Sequence, residues 1–350
     1  MGEVMGATGA SGQGSERGES GHRLAAGDPR RTELAIRAAH LYYMQDLDMA
    51  AIGRELGMSR SSVSRLLAHA RDVGLVEIRI AAPAGRTGEV ADELGDIFGV
   101  RAHVVPTTAQ MSDIDRLERV GHAAARVVGA VLEPDMTLGI AWGATISVMS
   151  RRLTPKELWN FTVVQLNGAG NPTTTGIDYA SEILARFAVA YSARVEQLAV
   201  PAFFDDPATK IALWRERSTR RVLDVAAQMD VAVFGLGSPD ADVPSHVYTG
   251  GYLDPADFAS LRAESVVGDV ATMFFRRDGS DTGIELNKRS SGPDLATIRA
   301  VDRRICVVSG NSKATATEGA FAAGLITEIV LDENLARELI HRHRRSGARR

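Results

Sequence analysis

The chain has 350 residues, a formal net charge of -4, 45% apolar residues and one cysteine. That length supports two domains with ample core, and the composition is that of an ordinary globular protein rather than a fibrous or low-complexity one. The slightly acidic balance excludes a chain that coats nucleic acid nonspecifically, and the lone Cys306 excludes an internal disulfide framework.

A single cysteine also suits a reducing cytoplasm. No apolar run approaches the length of a bilayer crossing, and the first residues are glycine- and charge-rich, unlike a signal peptide. A cytoplasmic protein with no membrane partner is expected. Residues 1–30 repeat glycine and serine and lack the apolar content to fold, so a disordered tail is expected there.

Residues 31–81 carry the pattern of a winged helix-turn-helix domain. A first helix is expected from Thr32 or Glu33 to Tyr43, with Leu34, Ala38, Leu41 and Tyr42 turned inward. Asp48 is placed to cap a second helix, whose Met49, Ile52 and Leu56 share one face, and Gly57 supplies the turn. Ser59 is placed to cap a third helix, in which Val63, Leu66, Leu67 and Ala70 fall within a narrow arc. The opposite arc is hydroxyl- and guanidinium-bearing, the chemistry that suits phosphates and base edges in a major groove. Ser59, Arg60, Ser61, Ser62, Ser64 and Arg65 are therefore the candidate contacts to double-stranded operator DNA. No carboxylate interrupts this arc before Asp72, and residues 22–86 hold ten arginines against seven carboxylates, so this segment is basic within an acidic chain. Gly74–Ile80 alternates like a strand and is expected to form a wing.

Residues 82–89, rich in proline and glycine, read as a linker. From residue 90 to 341 short apolar runs alternate with helical segments, the signature of a Rossmann-like α/β domain with a parallel sheet covered by helices. Strands are expected at Ala102–Pro106, Thr137–Ala141, Val163–Leu166, Val231–Gly235, Ala271–Phe275, Ile305–Ser309 and Ile326–Leu331. Ser112 with Asp115, Thr154 with Glu157 and Thr175 with Asp178 have capping-box spacing, and Pro155 fits a first helical position. The segment around Cys306, ICVVSG, reads as a buried strand rather than a reactive thiol. Residues 342–350 are strongly basic and read as a solvated tail.

In open parallel sheets ligands bind beyond the carboxyl ends of the strands. Three loops there have suitable chemistry. The first is the turn around Gly143, Ala144 and Thr145, where a strand gives way to a helix whose backbone donors could face an anion. The second runs from Leu166 and Asn167 through Gly168, Asn171, Thr173, Thr174 and Thr175 to Gly176 and is rich in hydroxyls. The third is Ser309–Lys313, where Lys313, one of only four lysines, stands at the entrance of an Ala314–Phe321 helix beside Asn311. Asp269, in an expected turn, could accept hydrogen bonds from sugar hydroxyls.

The segment LYYMQDLDMAAIGRELGMSRSSVSRLLAHARDVGLVEIRI resembles the N-terminal domain of the SorC-type sugar-responsive transcriptional regulators. It departs from that pattern at Met49, where glutamine is usual, and at Gly53, where alanine is usual. GIAWGAT, VVQLNGAG, VAVFGLG, VVGDVATMFFRRDG and VVSGNSKATATEGAFAAGLI resemble the effector domain of the same family. The resemblance implies a fold related to sugar-phosphate isomerases and glucosamine-phosphate deaminases, a sugar, sugar-phosphate or polyol effector, and a homo-oligomer, dimer or tetramer. It matches Gly143, Thr145, the Gly168–Thr175 loop, Asp269 and Lys313 to positions lining the effector site, with Asn311 where many relatives have glycine.

The expected function is a DNA-binding regulator of carbohydrate genes, not an enzyme, with neither cofactor nor metal. The alternative is a sugar-phosphate isomerase or deaminase with a DNA-binding appendage. That chemistry needs a positioned general base. Asp269 is the one candidate placed near the loops; no histidine falls beside them, and His246 lies in a loop of uncertain position.

Overall fold

The computed structural model describes residues 29–76, 84–108, 110–239, 241 and 245–347. The chain divides into two compact units, residues 1–80 and 81–350.

The first unit is a three-helix bundle of α1 (Pro29–Tyr43), α2 (Met49–Glu55) and α3 (Arg60–Asp72). Its core joins Ala35, Ala38 and Leu41 of α1 to Ile52 of α2 and to Val63, Leu66, Leu67 and Ala70 of α3. The caps form as the spacing predicts. Asp48 Oδ1 accepts the Ala51 N–H at 2.7 Å, and Ser59 Oγ accepts the Ser62 N–H at 3.2 Å. Gly57 takes φ 66°, a left-handed geometry that suits glycine. Gly53 has a packing reason of its own: a Cβ there would lie 2.7 Å from the Met58 carbonyl oxygen, against which the turn closes.

α1 begins at Pro29, earlier than the apolar pattern indicates, because proline suits a first helical turn. The expected wing is not a strand where it is described. Gly74 takes φ 76° and Val76 N–H returns to the Ala70 carbonyl at 3.0 Å, so these residues close α3 instead. The rest of that expected strand, 77–80, and residues 1–28 of the expected tail lie outside the described residues.

The second unit runs in the order α4 (Ala84–Phe98), β1 (Arg101–Val105), α5 (Asp113–Val131), β2 (Thr137–Ile140), α6 (Ala144–Ser150), β3 (Thr162–Gln165), α7 (Ile177–Tyr191), β4 (Arg194–Glu196), α8 (Pro207–Leu213), α9 (Arg217–Ala227), β5 (Val231–Gly235), α10 (His246–Thr249), α11 (Pro255–Ala263), β6 (Val266–Val270), β7 (Met273–Arg276), α12 (Glu285–Arg289), α13 (Leu295–Arg299), β8 (Arg303–Val308), α14 (Ala314–Ala322), β9 (Glu328–Asp332) and α15 (Glu333–Gly347). Seven strands make a parallel sheet in the order β1-β9-β8-β5-β2-β3-β4. Alternate strand residues serve opposite faces, as a two-residue period requires. Ala232, Phe234, Cys306 and Val308 enter one core; Val231, Val233, Ile305 and Val307 enter the other. Cys306 is wholly buried, and burial pushes its thiol up, which leaves it inert. On one flank α4 and α15 pack together, with Phe98 stacked on Phe321 of α14 at 4.3 Å and Glu93 paired with Arg344 at 2.6 Å.

Several expectations are corrected. The expected Ala271–Phe275 strand is not in the parallel sheet: β6 and β7 form a separate antiparallel hairpin turning at Ala271 and Thr272. Asp269 is accordingly a strand residue of β6, not a turn residue. No helix follows Thr154, because the backbone donors of Lys156 and Leu158 are taken by the Ala190 and Tyr191 carbonyls at the end of α7. α7 itself begins after Gly176, at φ 64°, with no side-chain cap from Thr175. Helix α4 occupies residues from Ala84 onward, within the expected linker. The basic segment continues α15 through Gly347, its register fixed by Arg342–Glu338 and Arg344–Glu93 pairs rather than frayed.

Candidate functional site

In the first unit, α3 turns Arg60, Ser61, Ser64 and Arg65 to solvent while its apolar arc is buried. Ser59 and Ser62 are employed differently. Ser59 Oγ caps the helix and lies 2.9 Å from the hydroxyls of both Ser61 and Ser62. Arg65 Nη2 donates to Ser62 Oγ at 3.3 Å, which holds the guanidinium along the exposed face. Arg71, by contrast, is turned back to the Tyr43 hydroxyl at 3.0 Å and serves the bundle.

In the second unit the carboxyl ends of β2, β3, β5 and β8 open into one cleft, with about 940 Å³ of empty space when its mouth is included. The chain builds β2, β3 and β4 outward in one direction and then places β5 on the other side of β2, so the cleft occupies a topological switch point. Gly143, Ala144 and Thr145 line it from the β2–α6 turn, and Lys313 lines it from the loop after β8. The β6–β7 hairpin contributes Asp269, Ala271 and Thr272.

Asp269 is 4% exposed. It is fixed by paired backbone hydrogen bonds with Gly237, at 3.0 and 3.2 Å, and its Oδ1 fills the space a Cβ on Gly237 would need, 1.8 Å away. Burial pushes its pKa up to about 6, against the lowering influence of the Tyr248 hydroxyl, the Thr272 backbone and the Lys313 charge. Lys313 Nζ donates to the Leu236 carbonyl at 2.8 Å. Burial depresses the pKa of this ammonium, and Asp269 offsets part of that effect. The hairpin turn is strained: Ala271 and Thr272 both have positive φ, 48° and 66°, which is costly for a β-branched residue. The Thr272 hydroxyl, 2.9 Å from Ser290 Oγ, helps hold it.

Three buried polar atoms on residues that line this cleft have no partner within the described residues: Asp269 Oδ1, Asn167 Oδ1 and Ser245 Oγ. All three can accept hydrogen bonds. Trp142 closes one side, its indole N–H donating to the Gly168 carbonyl at 2.8 Å and its ring stacked on Tyr252 at 5.2 Å.

Of the second expected loop only Asn167 joins the cleft. Asn171 Oδ1 is consumed by the Thr173 and Thr174 backbone donors and the Thr173 hydroxyl, and its Nδ2 donates to the Gly250 carbonyl. Thr174 Oγ1 accepts the Gly176 N–H, and Gly168 is packed against Val200 and Pro201 backbone. Gly168, Asn171, Thr173, Thr174 and Thr175 are thus outside the cleft lining, as is the exposed Asn311. Conversely, Ser245 lines it without having been selected from sequence, and it is joined by Asn167 from the start of that loop and by His246, whose loop the sequence does not place. His246, edge-on to Tyr179 at 5.1 Å, corrects the expectation that no histidine lies beside these loops. Its sole advance signal was its place in a polar stretch between strands.

A family model of sugar-binding domains matches residues 84–341, and a MarR family model matches residues 38–87. This chain belongs to the SorC-type sugar-binding transcriptional regulators. The deoxyribonucleoside regulator of Bacillus subtilis (strain 168) is 28% identical over 317 residues, 90% of this chain and 99% of that protein. The sorbitol operon regulator of Klebsiella pneumoniae is 26% identical over 309 residues, 88% and 97% of the two chains. Among solved structures, a domain of a possible sugar-binding transcriptional regulator from Arthrobacter aurescens TC1 is 52% identical with a TM-score of 0.70, covering 74% of this chain and 100% of that domain. The full-length sorbitol operon regulator SorC from Klebsiella pneumoniae shares the fold, with a TM-score of 0.67 at 23% identity over 89% of this chain and 99% of that one. The regulator family thus joins a helix-turn-helix region to a parallel-sheet sugar-binding domain, and its named relatives are regulators rather than enzymes. No described helix is long and apolar enough to cross a membrane.

Proposed function

We propose that this regulator reads double-stranded operator DNA with the exposed face of α3 and is controlled by a small carbohydrate, sugar phosphate or polyol held in the sheet-end cleft. The observation that carries the effector assignment is the set of three buried acceptors without partners. A buried polar group left unsatisfied costs about 1–3 kcal/mol, so these atoms call for a ligand that donates several hydrogen bonds from one end, as a polyol does. Lys313 and the turn that carries it would receive the other end, where a phosphate or carboxylate finds a cation. The effector must bind two arrangements of the protein unequally to regulate anything. In a dimer or tetramer acting in the cytoplasm, that inequality would alter how paired α3 helices meet their half-sites.

A relation of the larger domain to sugar-phosphate isomerases is part of the same proposal, in which the cleft serves as a sensor without turnover. His246 and Asp269 are the two groups an enzyme would use as acid and base; conversion of sugar phosphates by the purified protein would establish the enzyme instead.

The first experiment is a thermal-shift screen against paired free and phosphorylated sugars and polyols, since a ligand that favours the native state raises Tm. A shift with phosphorylated compounds is expected, and Lys313→Ala should cost that ligand about 1.5–3 kcal/mol. Equal shifts in wild type and Lys313→Ala would remove the cation from effector recognition. Arg65→Ala should weaken operator binding by about 1–3 kcal/mol if the guanidinium reads a base, or lower the salt dependence by about one counterion if it meets phosphate. Unchanged affinity and unchanged salt slope would take Arg65 out of the DNA interface.

A further inference from the structure

Asp332 ends β9 with no exposure to solvent and does not line the cleft. Its Oδ2 accepts the Gly310 N–H at 2.7 Å, and its Oδ1 accepts the Leu335 N–H in the first turn of α15 at 3.1 Å. The Arg116 guanidinium of α5 stands 3.9 Å from that Oδ1, through its Nε. Each partner leads somewhere. Gly310 lines the cleft at φ 96°, and its carbonyl accepts the Lys313 N–H at 3.1 Å, so its position sets where the lysine turn begins. Arg116 donates to Asp113 Oδ1 at 2.6 Å and to the Met111 carbonyl at 3.2 Å, at the start of α5, where Asp113 and Ile114 form the cleft rim.

One buried charge therefore ties the lysine turn, the α5 rim and the N-terminus of the last helix together. Capping α15 alone would need only a neutral serine or asparagine. A carboxylate offers a separate oxygen to each of the two backbone donors and attracts the guanidinium as well, and a buried charge of this kind is costly unless its partners stay in place.

We infer that Asp332 is a positioning residue for effector recognition: without touching the ligand, it sets the Ser309–Lys313 turn against the α5 rim. The role rests on the cleft being the effector site. It makes the two walls respond to one another, since shifting the turn moves the anchor of Arg116 and shifting the rim moves the anchor of Gly310.

The test uses the full chain with Arg116→Gln, Arg116→Lys, Asp332→Asn and, as a ligand-side control, Lys313→Ala. Amide hydrogen exchange is followed without ligand, and affinity is titrated with inorganic phosphate. Arg116→Gln and Asp332→Asn are expected to speed exchange at residues 310–314 by about tenfold or more while amides of β2 and β5 stay near wild type. Arg116→Lys, which keeps the charge, should restore most of the protection. Phosphate affinity should fall about tenfold in the first two variants. Uniformly faster exchange throughout the unit, or unchanged exchange in the turn, would overturn the proposal. Exchange needs no ligand, so a wild type that ignores phosphate would sink only the phosphate reading of the cleft. The exchange pattern would still decide the role of Asp332, including when Asp332→Asn folds poorly and Arg116→Gln alone is measured.

Discussion

Gly237→Ala is expected to weaken effector binding by about thirtyfold or more. The added methyl would lie 1.8 Å from Asp269 Oδ1 and 3.1 Å from Ser245 Oγ, so it displaces one of the three unpartnered acceptors and crowds a second. Asp269 cannot back away, because its own N–H and carbonyl are both bonded to residue 237. Losing one hydrogen bond to a charged group, about 1.5–3 kcal/mol, and one to a neutral hydroxyl, about 0.5–1.5 kcal/mol, corresponds to roughly 30- to 2000-fold in Kd. Crowding should also cost about 1–3 kcal/mol of stability. Calorimetric titration with the effector found by the thermal-shift screen measures the first effect, and urea melts measure the second. Gly235→Ala is the matched control, because a Cβ there meets nothing closer than 3.6 Å. Near-wild-type affinity in Gly237→Ala would remove the β6–β7 hairpin from recognition.

Asp269→Asn should separate stability from function. The carboxyl titrates near pH 6 in the folded chain against an ordinary value of 3.8, because it is buried. The unfolded chain therefore releases this proton first, and between these two values it binds fewer protons than the native state. The contribution of this group is fully present below about pH 4, is lost as pH rises through about 6, and amounts to about 3 kcal/mol. Asparagine has the same shape and no charge, so the variant is expected to lack that decline and to exceed wild type by up to about 3 kcal/mol at pH 7.5. Denaturant melts at pH 4.5 and 7.5 read the difference, and an unaltered slope would assign the decline to another group. The same variant should bind effector about 1.5–3 kcal/mol more weakly, since ligand hydroxyls donate best to the ionised carboxylate. Wild-type affinity should accordingly tighten as pH rises through 6. Stability is sacrificed at a binding site in many proteins, and Asp269 would be such a case.

Much of this was legible in the chain because its determinants are local. Asp48, Gly57 and Ser59 act within four residues of themselves, so the starts of α2 and α3 and the turn between them could be read from spacing alone. Buried strands such as Val231–Gly235 announced themselves by continuous apolar runs. Gly143–Thr145, Asp269 and Lys313 were selected because sheet-end turns with those side chains are where ligands bind, and all of them line the cleft. The Gly168–Thr175 loop lies outside the cleft lining for a specific reason. A hydroxyl-rich turn has the same composition whether its donors face a ligand or, as here, one asparagine oxygen, and composition does not say which. β4 was missed because its three residues are largely solvent-facing at the sheet edge, and β6 because Gly268 and Asp269 break its apolar run. The link from Arg116 to Asp332 spans more than two hundred residues, and no local pattern encodes it.

The packing of α4 on α15 carries a consequence for how such proteins arise. Phe98 and Glu93 near the entry of the larger unit meet His343 and Arg344 near its exit, so the two ends of this fold lie side by side. A module whose entrance and exit adjoin can be spliced in or out of a gene in one piece, without breaking its sheet. Evolution could thus exchange the DNA-reading head while inheriting the metabolite sensor whole, and a protein engineer could graft the same cassette into a reporter.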